Sequence, residues 1–119
     1  MNVIRGDIVL VSVPFASGKG AKIRPVLVIQ SDDNNARLMN TIVAGISSNV
    51  SRVQFEKTQH LIDVSTVAGQ DSGLRFNSAV ACEYLATIEQ SRILKRLGAL
   101  PAAEMQSIDA CIKASLGIV

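Results

Sequence analysis

The sequence predicts a mainly β protein with some α-helix (α+β), built as a small, strongly curved antiparallel sheet or partial barrel with a C-terminal helix. Short, β-branched apolar segments alternate with turn residues along most of the chain, which is typical of antiparallel sheets. Helical spacing of apolar residues is convincing only after Pro101. Since 119 residues suffice for one core but not two, we expect a single domain over residues 1–119.

Three strands are predicted in the first half of the chain. Strand one is Ile8 to Val13, and strand two is Arg24 to Gln30, whose apolar run indicates burial on both faces. A flexible loop of small and basic residues, 16–22, joins these two strands. Residues 32–35 favour a turn or a single helical turn, and strand three follows over Asn40 to Ile46.

The second half is expected to hold one long strand and the helix. Ser78 to Ile88 is the long strand, and strict alternation would place Cys82 and Tyr84 on the same face. The helix is expected to begin at Pro101 and to stop at Gly117. Two further strands are expected, a half-exposed one over Arg52 to Glu56 and a short one over His60 to Val64. Turns are expected over Gly69 to Gly73, and a helical turn over Gln90 to Leu94.

Composition restricts the partners. The chain is 48% hydrophobic but only 3% aromatic and has no Trp, so the core is aliphatic, and a row of rings stacking on bases is not expected. Residues 1–59 carry seven basic and four acidic residues, whereas residues 60–119 carry five and six. The basic first half is compatible with a polyanionic partner.

The cysteines and the apolar segments predict a cytoplasmic protein. Cys82 and Cys111 form no CxxC pattern and lie among apolar neighbours, so reduced core thiols in a reducing compartment are expected. Asp7 interrupts the only apolar N-terminal run that resembles a signal peptide. No stretch approaches the ~20 apolar residues of a membrane span.

Metal and triad chemistry are not predicted. His60 is the only histidine, the cysteines are distant in sequence, and the acidic residues lack ligand spacing. No nucleophile elbow accompanies His60, which we expect to make a structural hydrogen bond at a strand start.

With metal and triad sites not predicted, the remaining candidate is an anion-binding site. Arg24 lies where the loop meets strand two, and Ser47 and Ser48 end strand three, so a guanidinium and hydroxyls converge if the two strands are neighbours. The other interpretation of Arg24 is a strand-end residue paired with a surface acid. The residues expected to contact the substrate around this pair are Lys19, Lys22, Ser48, Asn49 and Arg52.

In its motifs the chain resembles the MazF/PemK toxins, which are endoribonucleases of bacterial toxin–antitoxin pairs. The likeness covers essentially the whole chain and rests on five segments, namely Gly6 to Val9, Arg24 to Gln30, Val43 to Ser48, Ser78 to Glu83 and Thr87 to Ile93. Together they imply the MazF/PemK/CcdB type of barrel-like sheet, a homodimer, and sequence-selective cleavage of single-stranded RNA at short motifs, without metal or cofactor. They also imply neutralisation by a cognate MazE-like antitoxin. The apolar face expected around Cys82 and the terminal helix also suggest a dimer.

The resemblance assigns catalysis to Arg24, the residue before Pro25, and to Ser47, which stands where the family has Thr. It implies attack by the ribose 2′-OH, leaving a 2′,3′-cyclic phosphate and a 5′-hydroxyl. The family segment Glu-Gln-Leu-Arg-Thr-Ile is Glu83 to Ile88 here, with Tyr84 and Ala86 in place of Gln and Arg. The group that removes the 2′-OH proton is not identified, although His60 has suitable chemistry.

Two other functions remain open at this point. One is a toxin of the same barrel fold that poisons DNA gyrase without cleaving RNA. The other is a non-catalytic barrel that binds nucleic acid or an acidic peptide by charge alone, with affinity that falls steeply with salt.

Overall fold

The computed structural model describes residues 2–14 and 17–119. These residues form six strands, three α-helices and one 3₁₀ turn. In chain order they are β1 (Asp7–Pro14), β2 (Ala21–Val28), α1 (Asp32–Arg37), β3 (Asn40–Ser47), β4 (Gln59–Ile62), α2 (Val67–Asp71), β5 (Ser78–Glu89), the 3₁₀ turn (Gln90–Arg92), β6 (Ile93–Ala99) and α3 (Ala102–Leu116).

The strands form one sheet in the order β4-β5-β3-β2-β1-β6, and every neighbouring pair is antiparallel. The predicted fold class, an antiparallel sheet with a C-terminal helix, is confirmed. Within the described residues the sheet does not close into a barrel, because β4 and β6 are its two edges.

The pairing of β2 with β3 fixes which side chains share a face. Val26 lies opposite Gly45, and Val28 lies opposite Val43. Side chains alternate along a strand, so Val26 and Val43 face one side while Leu27 and Ala44 face the other. The strands are the ones predicted, although β2 begins at Ala21 rather than Arg24 and ends at Val28. Of the predicted loop 16–22, Ala16 lies outside the described residues, and Ala21 and Lys22 belong to β2.

A bulge interrupts β5 where it passes β3. Ala44 pairs with Leu85 but Gly45 pairs with Ala81, so residues 82–84 have no counterpart on β3. A bulge of this kind changes the alternation of side chains along the strand. The prediction that Cys82 and Tyr84 share a face was therefore wrong: Cys82 is fully buried, whereas Tyr84 is 70% exposed.

The helix α3 covers one face of the sheet. Met105, Ile108 and Cys111 of α3 pack against an aliphatic cluster drawn from the strands, whose fully buried members include Ile8, Leu27, Ala44, Ile62, Val80 and Cys82. Cys82 is thus buried within one chain, so the Cys82 face that prompted the dimer expectation is not a free surface. On the other side of the sheet a smaller cluster contains Val9, Val11, Val26, Val28 and Val43.

Both cysteines are free and buried, as expected of core thiols. Burial, with smaller contributions from Cys111 and Glu83, raises the pKa of the Cys82 thiol to about 12. Burial likewise raises the pKa of Cys111, with a smaller contribution from Glu83. Both thiols are therefore protonated and unreactive at neutral pH.

One short helix, α2, and one strand, β6, were not predicted, and α1 extends two residues beyond the turn or single helical turn expected over residues 32–35. Ser31 caps α1 by accepting a hydrogen bond from the Asn34 backbone N–H at 3.2 Å, and Thr66 caps α2 by accepting one from Gly69 at 3.0 Å. Helices of six and five residues carry too little apolar periodicity to be detected. β6 was missed because its exposed residues include Lys95 and Arg96 at the sheet edge.

Two predicted elements were wrong in part or in full. Residues 52–56 form turns rather than a strand, since the N–H groups of Phe55 and Glu56 both bond back to the Arg52 carbonyl. The helical turn predicted over residues 90–94 ends at Arg92, where β6 begins. No helix in the described part of the chain is both long and apolar enough to cross a membrane.

The Gly-Asp pair at the start of β1 has a structural role. Gly6 adopts φ +100°, a conformation that L side chains rarely adopt, and its N–H donates to the Val28 carbonyl at 2.9 Å. The next residue, Asp7, is buried and accepts hydrogen bonds from Arg96 Nε and from the Ile4 backbone N–H, both at 2.9 Å. This pair therefore anchors the N-terminal segment to β2 and β6.

A buried polar network holds the connection between β2 and β3. Gln30 Nε2 donates to Asn35 Oδ1 at 2.9 Å, and the Thr41 hydroxyl donates to the same oxygen at 2.7 Å. Asn35 Nδ2 returns a hydrogen bond to the Gln30 carbonyl at 3.0 Å, and Gln90 Nε2 donates to the Asn35 carbonyl at 2.9 Å. The network ties α1 to both strands and to the end of β5.

We expect Asn35→Ala to lower the free energy of unfolding by about 1–3 kcal/mol, because it leaves the buried amide of Gln30 and hydroxyl of Thr41 without their shared acceptor. Urea denaturation at neutral pH measures this loss. Gln106→Ala, at an exposed position on α3, is the control and should change stability by less than ~0.5 kcal/mol. A loss no larger than that of the control would show that the network does not stabilise the connection.

Candidate active site

Two grooves meet just beyond the point where the pairing of β2 with β3 ends, in the middle of β2 and at the end of β3. The first, here the Tyr84 groove, has a volume of about 640 Å³; the second, the Lys95 groove, has about 600 Å³. Both are lined by Arg24, Pro25, Ile46 and Ser47. Arg24 and Ser47 therefore occupy the junction of the two grooves.

The strand register explains why these two residues meet. The pairing of β2 with β3 ends at Val26 and Gly45, and Arg24 and Ser47 each lie two residues beyond that pair. Side chains two residues apart along a strand share a face, so both residues lie on the face of the Val26–Gly45 pair, where both line the two grooves. Both residues are exposed, so the guanidinium and the hydroxyl are open to a ligand.

The Ser47 hydroxyl is oriented by the turn that follows it. Its Oγ accepts a hydrogen bond from the Asn49 backbone N–H at 3.1 Å. This bond uses one of the two lone pairs of the oxygen, and the hydroxyl proton remains free to donate to a ligand. The side-chain oxygen of Asn49 in turn accepts from the Ser51 N–H and hydroxyl at 3.1 and 2.7 Å, which fixes the turn.

The Lys95 groove is strongly basic. It is lined by Lys22, Arg24, Arg75 and Lys95, and no acidic side chain lines it within the described residues. Four cations along one groove favour a polyanion such as a nucleic-acid backbone.

The Tyr84 groove has a different chemical character. Arg24 and Arg52 lie in it together with the carboxylate of Glu83, the amide of Gln59 and the ring of Tyr84. Glu83 Oε1 accepts from the Thr58 hydroxyl at 2.9 Å, and its Oε2 accepts from Gln59 Nε2 at 2.8 Å. A fixed carboxylate beside an exposed aromatic ring suits an organic group with hydrogen-bond donors.

Glu83 is held in its ionised form. Partial burial raises its pKa. Hydrogen bonds from Gln59, from backbone N–H and from Thr58, together with the charge of Arg52, lower the pKa by more than burial raises it, so the net shift is downward. A carboxylate with a lowered pKa is a good hydrogen-bond acceptor but a poor general base at neutral pH.

Most of the predicted site residues lie on the two grooves. Lys22 and Ser48 line the Lys95 groove, and Asn49 and Arg52 line the Tyr84 groove. Arg52 reaches the groove from a turn, not from the predicted strand, and its guanidinium lies 4.0 Å from Glu56. Lys19 is exposed and lies on neither groove as the structure describes them.

His60 is not at the junction. Its Nε2 lies 3.1 Å from Glu104 Oε2, which links β4 to α3, and His60 lies on neither groove among the described residues. This is the structural hydrogen bond expected of His60. The ring therefore contacts Glu104 and not the Arg24–Ser47 pair. No group of three or more His, Cys, Asp or Glu residues in ranges 2–14 and 17–119 is arranged to hold a metal ion.

The groove residues not predicted as site residues from the sequence include Gln59, Glu83, Tyr84, Arg75 and Lys95. Arg75 and Lys95 belong to the half of the chain with more acids than bases, so the charge distribution along the sequence did not indicate them. Glu83 and Tyr84 reach the groove because of the β5 bulge, which no local sequence pattern indicated. The unusual Tyr84, in a chain with one tyrosine, was the only available signal.

The chain matches one protein family over almost its whole length. A family model described as the PemK-like, MazF-like toxin of type II toxin-antitoxin systems matches residues 4–116. The chain belongs to this family. The resemblance predicted from the sequence motifs is thereby confirmed, and the gyrase-poisoning alternative is not favoured.

Individual relatives agree with this assignment. The chain is 26% identical over 121 residues to a curated endoribonuclease MazF of Staphylococcus saprophyticus, covering 96% of this chain and 91% of that protein. Among solved structures, an endoribonuclease from a mycobacterial species has a TM-score of 0.77 at 14% identity, covering 99% of this chain and 94% of that one. MazF in a MazE–MazF complex from Deinococcus radiodurans has a TM-score of 0.74 at 15% identity, with coverage of 100% and 99%. These two structures show the same fold.

We expect the Glu83 carboxyl to titrate below its ordinary value of 4.5 in the folded protein. Its ionised form then contributes stability above the unfolded pKa, and that contribution is lost as the pH falls through the lower folded pKa. Carbon-detected NMR titration of the side-chain carboxyl measures the midpoint. Thr58→Val should raise the midpoint by removing one donor, whereas Ser91→Ala, next to Glu89, should leave it unchanged; a wild-type midpoint above 4.5 would contradict the assigned contacts.

Proposed function

We propose that this protein is the toxin of a toxin–antitoxin pair and that it cleaves single-stranded RNA without a metal ion or cofactor. The observation that carries the proposal is that Arg24 and Ser47 both line the junction where a basic groove meets a mixed one. Membership of the PemK-like, MazF-like toxin family and the likeness to a curated endoribonuclease support the same activity.

The reaction uses a nucleophile that the substrate brings. The ribose 2′-oxygen attacks the adjacent phosphorus, a bond from O2′ to phosphorus forms, and the bond from phosphorus to O5′ breaks. The 2′-OH loses its proton and O5′ gains one, so the products are a 2′,3′-cyclic phosphate and a 5′-hydroxyl. The protein therefore needs to position the phosphodiester and stabilise its charge, and a protein nucleophile is unnecessary.

Arg24 and Ser47 supply that stabilisation. The guanidinium of Arg24 binds the scissile phosphate through two parallel hydrogen bonds and offsets the charge that develops on its oxygens. Ser47 donates its hydroxyl proton to the same phosphate, because its oxygen already accepts from the Asn49 N–H. Both groups are exposed at the junction, so the phosphate reaches them without a change of fold.

We assign the remaining RNA contacts from the residues that line the two grooves. Lys22 and Ser48, with Arg75 and Lys95, bind flanking phosphates along the Lys95 groove. Asn49 and Arg52 contact the RNA on the Tyr84 groove side. Lys19 lies on neither groove, so we assign it a long-range electrostatic contribution to substrate binding.

The partners follow from the family. A MazE-like antitoxin neutralises the toxin, which is supported by the MazE–MazF complex that shares this fold. The toxin acts in the cytoplasm, where its two buried thiols stay reduced and where mRNA is the substrate. Residues 1–119 act as one domain, and two copies form a homodimer.

Arg24→Ala should reduce cleavage of single-stranded RNA by at least ~10²–10³-fold, since it removes a preorganised donor from the scissile phosphate. Gel assays in EDTA measure the rate, and end-group analysis identifies the cyclic phosphate. Arg37→Ala is the matched control, because Arg37 pairs with Asn34 on α1 and lies on neither groove in the described structure. Wild-type cleavage that requires added divalent metal, or equal loss in both variants, would overturn the proposal.

Ser47→Ala should lower the cleavage rate, whereas Ser47→Thr should keep it, because threonine retains the hydroxyl that donates to the phosphate. Ser91→Ala, in the 3₁₀ turn away from both grooves, should behave as wild type. Single-turnover rates on one RNA separate these cases. A Ser47→Ala variant with an unchanged rate would remove Ser47 from the catalytic pair.

Light scattering at micromolar concentration should give a dimer, about twice the chain mass of 12.7 kDa. The measurement should be made without antitoxin, because a bound partner also raises the mass. A monomer under these conditions would contradict the homodimer.

A further inference from the structure

The Tyr84 groove contains a buried acceptor that nothing in the described structure satisfies. Gln59 Oε1 is buried and has no hydrogen-bond partner among the residues described, while Nε2 of the same side chain donates to Glu83 Oε2 at 2.8 Å. A buried polar atom without a partner costs free energy, so its retention beside a groove indicates a donor that arrives with a ligand.

Glu83 adds a second acceptor at the same place. Its carboxylate accepts one hydrogen bond on each oxygen, from Thr58 and from Gln59. An ionised carboxylate has about four lone-pair sites, so both oxygens retain capacity for a further donor. Beside the guanidinium of Arg52, the groove wall at this point thus offers unused acceptors on Glu83 and Gln59.

Tyr84 provides a flat apolar surface beside these acceptors. Its side chain is 70% exposed although it belongs to a strand, because the β5 bulge turns it out of the core. Gly45 on β3 lies beside this residue, since a Cβ on Gly45 would be in ordinary van der Waals contact with Tyr84 Cβ at 3.5 Å. An exposed ring of this kind stacks well on a nucleobase.

The carboxylate of Glu83 disfavours a phosphate directly beside it. The Lys95 groove, which has four cations and no acid among its described lining residues, is the better path for the RNA backbone. The Tyr84 groove shares the Arg24–Ser47 junction, so a nucleotide next to the scissile phosphate can extend its base into it.

We propose that the Tyr84 groove is a nucleobase subsite that selects a base with an exocyclic amine, which is adenine, cytosine or guanine, and rejects uracil. Tyr84 stacks on the base, and Glu83 with Gln59 Oε1 accepts the amine protons. Uracil presents carbonyl oxygens where the other bases present the amine, so these oxygens would face the carboxylate. This inference rests on the proposed function, because it places the subsite beside the cleavage junction.

The subsite is tested by binding, separately from cleavage. Fluorescence anisotropy compares 2′-O-methyl heptamers of cytidine and of uridine, which cannot be cleaved and differ chiefly in the amine. We expect wild-type protein to bind the cytidine heptamer at least ~10-fold more tightly, the discrimination typical of a good base contact. Equal binding of the two heptamers would overturn the subsite.

Variants show whether the named residues are responsible. Glu83→Gln should reduce the cytidine preference to near unity, because the amide can also donate to uracil, and Gln59→Met should reduce it by removing the buried acceptor. Tyr84→Ala should weaken binding of both heptamers, whereas Tyr84→Phe should not. Glu89→Gln, on the same strand but on neither groove within the described residues, is the matched control. Thermal melting confirms that each variant is folded, and an unchanged preference in both folded Glu83→Gln and Gln59→Met would overturn the proposal.

Cleavage then separates the two proposals. If wild-type protein prefers cytidine but cuts no RNA, the subsite stands and the proposed activity fails. If it cuts RNA but binds both heptamers equally, the activity stands and the subsite fails. Sequencing the ends of fragments from a random RNA should show one position beside the cut that excludes uracil, and free acceptance of uracil at every flanking position would count against the subsite.

Discussion

The antiparallel register between β2 and β3 is the constraint on which the candidate site depends. The pairing ends at Val26 and Gly45, and Arg24 and Ser47 each lie two residues beyond that pair on the same face of the sheet. A slip of one residue would move one of the two side chains to the opposite face of the sheet and separate them. The buried network around Asn35 fixes the connection between these strands, so residues far from the grooves determine whether the pair forms.

A second feature, the bulge in β5, gives the two sides of the junction different chemistry. Without it, regular alternation would keep Tyr84 on the face of buried Cys82. The three extra residues instead bring Glu83 and Tyr84 to the groove wall. One side of the junction therefore suits phosphates and the other suits a base. A catalytic pair between two such surfaces can hold a single phosphodiester, and the residues of the groove walls can discriminate between RNA sequences.

Sequence alone predicted the parts that local patterns determine. The unbroken apolar run after Pro25 marked β2, and the spacing of Met105 and Ile108 marked α3. Arg24 and Ser47 were found because each ends a recognisable strand. The bulge and the edge strand β6 were missed because each is defined by pairing with distant segments, and α2 was missed because it has only five residues. The groove residues Arg75 and Lys95 were missed for the same reason: only the fold brings them to β2 and β3.

At Ser47, hydrogen bonds in the following turn can take the place of the threonine methyl group in restricting side-chain rotation. The family resemblance implies threonine there, and its methyl group restricts rotation of the side chain. In this chain the Asn49 N–H donates to Ser47 Oγ, and Asn49 is itself held by Ser51. A hydroxyl whose oxygen is already bound to the backbone has its proton directed elsewhere. The turn over residues 47–51 therefore supplies the orientation that the missing methyl would otherwise give.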